Sequence, residues 1–317
     1  MEEISPMKIV YFGTPDFAGY ILEYLVAKGN DIVGVVTAPD KPAGRGHKLR
    51  PSAVKEVAQR VLPNTPLLQP ESLKDEVFLA QLKELEADLF IVIAFRMMPQ
   101  EVWAMPRYGT FNLHASLLPQ YRGAAPIQHA ILNDEAKTGV TTFLLNEGID
   151  QGKILMQEEI TITPNETGGT LHDKLMQLGA EVTHKTIMGL IEGTIVPRPQ
   201  AIGEEVKYAT KIFKEDRLLN FQHSTAKQLE LRVRAMSPYP AAIAVMGGEE
   251  IKVFGARERE PLVDKSPGAV LVSEGILVVQ CQEGALELLE VQFPNKRRTT
   301  VRDYLLGNKI EEGMIFE

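Results

Sequence analysis

The sequence predicts a two-part α/β protein: an N-terminal, Rossmann-like, mostly parallel sheet with helices on both faces, then a C-terminal OB-like β-barrel. Three observations carry this. Short apolar runs alternate with helical patterns through the first half, whereas five short strand-like runs accompany a single helix beyond residue 210. Between them lies a stretch with little apolar periodicity and two prolines, Pro197 and Pro199. The expected boundaries are 1–193 for the first domain, 194–210 for an extended linker and 211–317 for the second domain.

Lys8-Ile9-Val10-Tyr11-Phe12 is a short apolar run closed by Gly13. A helical pattern over 15–28 follows, with Phe17, Ile21, Leu22 and Leu25 on one face and Thr14 as its cap. Residues 32–36 have the composition of a buried strand. Residues 52–61 read as helix, Leu67-Leu68 as extended and 72–86 as helix again. The apolar run over 89–94 is the clearest central strand, and 110–114 reads as another. This βαβα order implies a mostly parallel sheet, whose ligands collect beyond the carboxyl ends of its strands. Strand-like stretches over 139–145 and 153–160 and a long helix over about 170–192 complete the first domain. In the second, a helix over about 225–236 precedes strands near 241–246, 250–255, 268–272, 276–281 and 285–293. Gly247-Gly248 marks a tight hairpin between the first two.

The 317 residues, 44% of them hydrophobic, suffice for two domains with their own cores. No apolar run reaches the eighteen or so residues of a membrane span, and residues 1–6 carry acids where a secretory signal carries bases. The single cysteine, Cys281, lies in an apolar run and reads as a small buried hydrophobe. Together these features point to the cytoplasm. The net charge of -8 disfavours a broadly basic surface, but it is unevenly held. Residues 207–317 contain sixteen Lys and Arg against sixteen Asp and Glu, so residues 1–206 carry the whole excess of acid. Screening limits distant charges to roughly 10 Å, so local basic clusters can still grip phosphates.

Gly13-Thr14-Pro15-Asp16-Phe17 joins a first strand to a first helix, where a dinucleotide loop would stand. Such a loop needs three glycines, and only Gly13 and Gly19 lie nearby. The densest chemistry runs from Asn112 to Pro126. Period-2 geometry puts Asn112 and His114 on one face at the end of a strand. An amide N–H there can stabilise an oxyanion and an imidazole can move a proton near neutral pH. The plainer alternative is a pair of hydrogen-bonded strand-end residues. Asp150, between Gly148 and Gly152 in a loop, can orient His114 or simply cap its own turn. The six histidines show no spacing with acids that would make a ligand set, so no metal is expected.

Taken together, Gly13-Thr14-Pro15-Asp16-Phe17, Pro42-Ala43-Gly44-Arg45-Gly46, the Asn112-x-His114 and Ser116-Leu117-Leu118-Pro119 motifs and the Asp150 loop resemble methionyl-tRNA formyltransferases of the folate-dependent formyltransferase superfamily. The resemblance runs nearly end to end. It implies a catalytic trio of Asn112, His114 and Asp150, and a folate pocket lined by Ser116, Leu117, Leu118 and Pro119. It implies 10-formyltetrahydrofolate as formyl donor, initiator Met-tRNA as acceptor and a monomer without a membrane partner. On this reading 1–193 is catalytic and 211–317 binds tRNA. One departure stands out: similar proteins carry Tyr-Gly after the central strand, and here Ala94 is followed by Phe95-Arg96-Met97-Met98.

The loop over 40–50 holds four cations, Lys41, Arg45, Lys48 and Arg50, against one acid, Asp40. In the resembling family it enters the acceptor stem. Lys296, Arg297 and Arg298, with Arg302, Arg232 and Arg234, form a second basic set able to add salt-dependent phosphate contacts. A superfamily enzyme formylating a sugar-nucleotide amine is the nearest rival, and the glycine-rich basic loop favours tRNA over it. A non-catalytic OB-type RNA-binding protein is the other; such readers interleave aromatics with bases, and the strands between 268 and 293 offer only Phe293.

Overall fold

The computed structural model describes residues 6–43, 48–201, 205–311 and 313–317. In chain order the first half comprises β1 (Ile9–Gly13), α1 (Asp16–Ala27), β2 (Ile32–Val36), β3 (Lys41–Ala43), β4 (Lys48–Arg50), α2 (Ala53–Val61), β5 (Leu67–Leu68), α3 (Glu76–Glu84) and β6 (Leu89–Ile93). Then come α4 (Gln100–Trp103), β7 (Thr110–His114), β8 (Arg122–Gly123), α5 (Pro126–Leu132), β9 (Lys137–Leu144), β10 (Ile154–Thr161), α6 (Gly168–Ile191) and β11 (Tyr208–Ala209). The remainder holds α7 (Ala226–Met236), β12 (Ala242–Met246), β13 (Glu249–Arg259), β14 (Val270–Ser273), β15 (Ile276–Gln280), β16 (Ala285–Gln292), β17 (Thr299–Thr300) and α8 (Val301–Gly307). Two compact units result: Met1–Arg122, Gly139–Ile160 and Asp173–Tyr208 form one, and Gly123–Thr138, Thr161–His172 and Ala209–Glu317 form the other.

The first unit is organised by a seven-stranded sheet in the order β10-β9-β7-β6-β1-β2-β5. The pairs β1–β2, β1–β6, β2–β5 and β6–β7 are parallel, and β7–β9 is antiparallel. Every residue of β1 and β6 is buried, which explains their unbroken apolar sequence: both faces of these strands are covered. On one face Val10, Phe12, Phe90 and Val92 pack with Phe78 and Leu82 of α3 and Val102 of α4. On the other, Leu113 of β7 and Ile21 of α1 close around Gly179 of α6. Each such fully buried side chain contributes about 1.5–3 kcal/mol. The chain winds one way from β1 through β2 to β5 and the other way from β6 to β7, so the switch point lies between β1 and β6. A ligand crevice opens beyond the carboxyl ends of strands at such a point.

The second unit contains an antiparallel sheet in the order β12-β13-β16-β15-β14, with β17 paired to β16. Met246 at the end of edge strand β12 and Ala269 just before edge strand β14 bridge to Phe316 and Ile315, so residues 315–316 run between the two edges of the sheet. Gly247 and Gly248 both have positive φ, as the two-residue β12–β13 hairpin requires. The core gathers Leu229, Val233 and Met236 of α7 with Ile251, Val253, Leu277, Val279, Leu286, Leu288 and Cys281. Thr225 and Gln228 form the capping box that starts α7.

Three local expectations change. Helix α1 is capped by Pro15 with no side-chain bond, so Thr14 is not its cap. Helix α3 starts only at Glu76, because the Asp75 carboxylate caps it by accepting from Phe78 N–H. Strand β13 runs on to Arg259 through a register shift around Gly255, which breaks the alternation that would have marked its polar half.

Candidate active site

Strand β7 carries the first two groups. Val92 of β6 pairs with Asn112, and Thr110 bonds through its hydroxyl to the Trp103 carbonyl of α4. Asn112 and His114 therefore share the α4-facing side, while Leu113 points to α6. The Asn112 side chain is half-buried and no side-chain hydrogen bond engages its amide among the described residues. His114 is 6% exposed, and its Nε2–H donates to the Tyr121 carbonyl at 2.8 Å. A carbonyl only accepts, so this bond fixes the proton on Nε2 and leaves Nδ1 to serve the site.

Across from Nδ1 stands Asp150, with Oδ2 at 3.8 Å. This is ion-pair range and longer than a hydrogen bond. Asp150 has φ 52°, the left-handed conformation that Asp tolerates better than most residues. The surrounding loop is tightly built. Gly148 N–H bonds to the Asn146 side chain, and a Cβ on Gly152 would lie 1.5 Å from the Leu144 carbonyl. From outside the loop, the Gln200 amide donates to the carbonyls of Asp150 (2.8 Å) and Gly152 (2.9 Å). Gln200 in turn accepts from Nε and Nη2 of the buried Arg122 at 3.1 and 2.6 Å.

Gln200 lies in the stretch read as linker, and that stretch is bonded to the first unit at Arg198, Gln200, Glu205 and Lys207. Arg198 and Ile154 exchange both backbone bonds, Lys207 accepts from Tyr121 N–H, and the Gln120 side chain spans Glu205 and Lys207. The same segment thus supports both Tyr121, which anchors His114, and the Asp150 loop.

The turn after β7 is structural over much of its length. Ser116 is wholly buried and donates to the Gln120 carbonyl, while its own carbonyl accepts from Thr141. Leu118 packs on Phe143 and Ile154, and its carbonyl accepts from Gln157. Leu117 and Pro119 are half-buried and are the members of this motif with surface left for a ligand. At the switch point, the loop after β6 turns at Ala94 with φ 46°. Phe95 meets Phe12 edge-on, and the Arg96 guanidinium lies over Phe95 and donates to the Pro70 and Glu71 carbonyls. Met97 is 77% exposed.

The basic residues fall into two kinds. Lys41 and Arg50 pair across the β3–β4 hairpin and are exposed. Arg45 and the side chain of Lys48 lie outside the described residues. Lys296 and Arg297 are exposed, but Arg298 makes a bidentate bond to Glu290 and stacks on Phe254. Arg232 donates to the Leu218 carbonyl and Arg234 pairs with Glu230, so these two are used within their own unit. Among the described residues no cluster of His, Cys, Asp and Glu could hold a metal ion, and no helix is long and apolar enough to cross a membrane.

This sheet, with its strand-end polar groups and the separate antiparallel β-unit, defines a class. The chain belongs to the formyl transferase family: residues 7–187 match its formyl transferase domain and residues 211–309 its C-terminal domain. Its relatives are the methionyl-tRNA formyltransferases. It is 44% identical to the one from Bacteroides thetaiotaomicron, over 97% of each chain. It is 42% identical to that from Caldanaerobacter subterraneus, over 98% of this chain and all of the relative. Among solved structures, WlaRD, a sugar 3N-formyl transferase, superposes with a TM-score of 0.66 at 20% identity, over 92% of this chain and 99% of that one. HypX from Aquifex aeolicus, solved with tetrahydrofolic acid, gives 0.65 at 18% identity over 95% of this chain and 47% of its own. At these identities the superpositions speak for the fold.

Proposed function

We propose that the chain transfers the formyl group of 10-formyltetrahydrofolate to the α-amino group of methionine on initiator Met-tRNA, as a cytoplasmic monomer. The observation that supports the chemistry is Nδ1 of His114 3.8 Å from the Asp150 carboxylate, on the strand face that also carries Asn112 with its amide uncommitted. Similarity to methionyl-tRNA formyltransferases over nearly the whole chain supports the acceptor. We assign 1–193 to catalysis, 194–210 to the connecting segment and 211–317 to tRNA binding.

An α-amino group titrates near pH 8 and needs little help to become the neutral nucleophile. As it attacks the formyl carbon, negative charge develops on the formyl oxygen. The Asn112 amide and a protonated Nδ1 of His114 donate to that oxygen, and the Tyr121 carbonyl keeps the imidazole oriented throughout. Asp150 holds the imidazolium and carries the proton from the attacking nitrogen towards the departing folate nitrogen. Leu117 and Pro119 face the donor, with Ser116 and Leu118 shaping the turn behind them. Lys41, Arg45, Lys48 and Arg50 of the hairpin and Lys296 and Arg297 of the second unit contact phosphates, and Arg298 does so only in competition with Glu290.

The test is Asn112→Ala assayed with charged initiator tRNA at saturating donor. Loss of one oxyanion donor lowers kcat by about 10²–10³, that is about 3–4 kcal/mol, with donor binding unchanged. A variant that keeps most of its kcat would remove Asn112 from the mechanism.

A further inference from the structure

Behind the site lies a part-buried polar assembly with no role yet in the chemistry. Asp150 must present its carboxylate to His114 from a left-handed residue in a loop. Gln200, 50 residues away, donates through Nε2 to the Asp150 and Gly152 carbonyls. The other end of the same amide is fixed by two donors of Arg122, a residue 5% exposed and adjacent to Tyr121. Tyr121 in turn holds His114. Arg122 and Gln200 thus tie the backbone behind the imidazole to the backbone behind the carboxylate.

We propose that Gln200 is a positioning residue for Asp150. Its amide, oriented by Arg122, sets the reach of the carboxylate to Nδ1 of His114. An amide is the group this place requires. Its oxygen accepts from a guanidinium while its nitrogen donates to two carbonyls, so the dipole points one way only. A carboxylate could serve Arg122 but would oppose both carbonyls. Misplacing a catalytic group by about 1 Å costs up to about 10²-fold in rate.

This rests on Asp150 being catalytic, so the experiment includes that residue. Gln200→Ala, Gln200→Glu, Asp150→Asn and the Gln200→Ala/Asp150→Asn double variant are compared in steady-state formyl transfer. Melting temperature is recorded for each full-length protein. The expected result is a fall in kcat of about 10- to 100-fold for both Gln200 variants, with KM for donor and tRNA within about twofold. Gln200→Glu keeps the Arg122 partner but opposes the two carbonyls, so kcat falls in a protein whose melting temperature still lies above the assay temperature. In the Asp150→Asn background, Gln200→Ala adds less than about twofold, because the residue it positions is already disabled. The proposal is overturned if kcat of Gln200→Glu stays within about threefold of the parent. It is equally overturned if the two losses multiply in the double variant. A fully active Asp150→Asn protein sinks the catalytic reading itself and this proposal with it; a disabled Asp150→Asn beside an unaffected Gln200→Glu sinks the proposal alone.

Discussion

Single residues here divide into those that act and those that hold, and the second group was largely hidden from the sequence. Asn112 and His114 were readable because strand alternation alone puts them on one face. Asp150 was readable as an orienting or capping residue, because a loop flanked by glycines leaves both open. Tyr121 and Gln200 were not readable. Their roles depend on hydrogen bonds to partners brought close only by the folded sheet, and Gln200 stood in a segment whose prolines suggested a passive connection. Another holding residue is Glu287, whose side chain is 5% exposed between Arg257 and Arg259. Burial alone would raise its carboxyl, but the bonds from Arg257 and Arg259 outweigh this and leave it below the ordinary glutamate value. A carboxyl depressed on folding stabilises the protein above its unfolded-state value, and that stabilisation fades as pH falls through the folded value. The melting-temperature advantage of the parent over Glu287→Gln should therefore hold from pH 8 to about 5 and shrink below about pH 4. An advantage that grows on acidification would contradict this account of the Arg257–Glu287–Arg259 cluster.

At the scale of elements, the alternating strands and helices of the first half were legible because their apolar periods are unambiguous. The β3–β4 hairpin was not, since three-residue strands leave no period to read. Its sequence announced only charge and glycine. The structure adds a base to it: Lys55 of α2 donates to Asp40 at 2.7 Å and to Gln69 at 2.9 Å, and Gln69 donates to Asp40 and to the Ala38 carbonyl. This network closes the neck of the basic hairpin and joins it to α2 and the segment after β5. If the hairpin reads tRNA, Lys55→Met should raise KM for the tRNA about fivefold, equivalent to about 1 kcal/mol of lost orientation. KM for the folate donor should not move. Equal tRNA kinetics in parent and variant would separate the hairpin from acceptor recognition.

For the whole molecule, the sequence conveyed the order of a parallel sheet followed by an antiparallel barrel, and the structure reproduces that order. What it could not convey was where the charge would act. Net charge of -8 says little about partners when cations such as Arg298 and Arg234 are paired within their own unit and others, such as Lys296 and Arg297, stay exposed. The most direct measurement is formyl transfer from 10-formyltetrahydrofolate, run in parallel with initiator Met-tRNA, elongator Met-tRNA, free methionine and an amino-sugar nucleotide. Rapid formylation of the initiator species alone is expected; transfer to the amino-sugar nucleotide with no tRNA formylated would contradict the assignment.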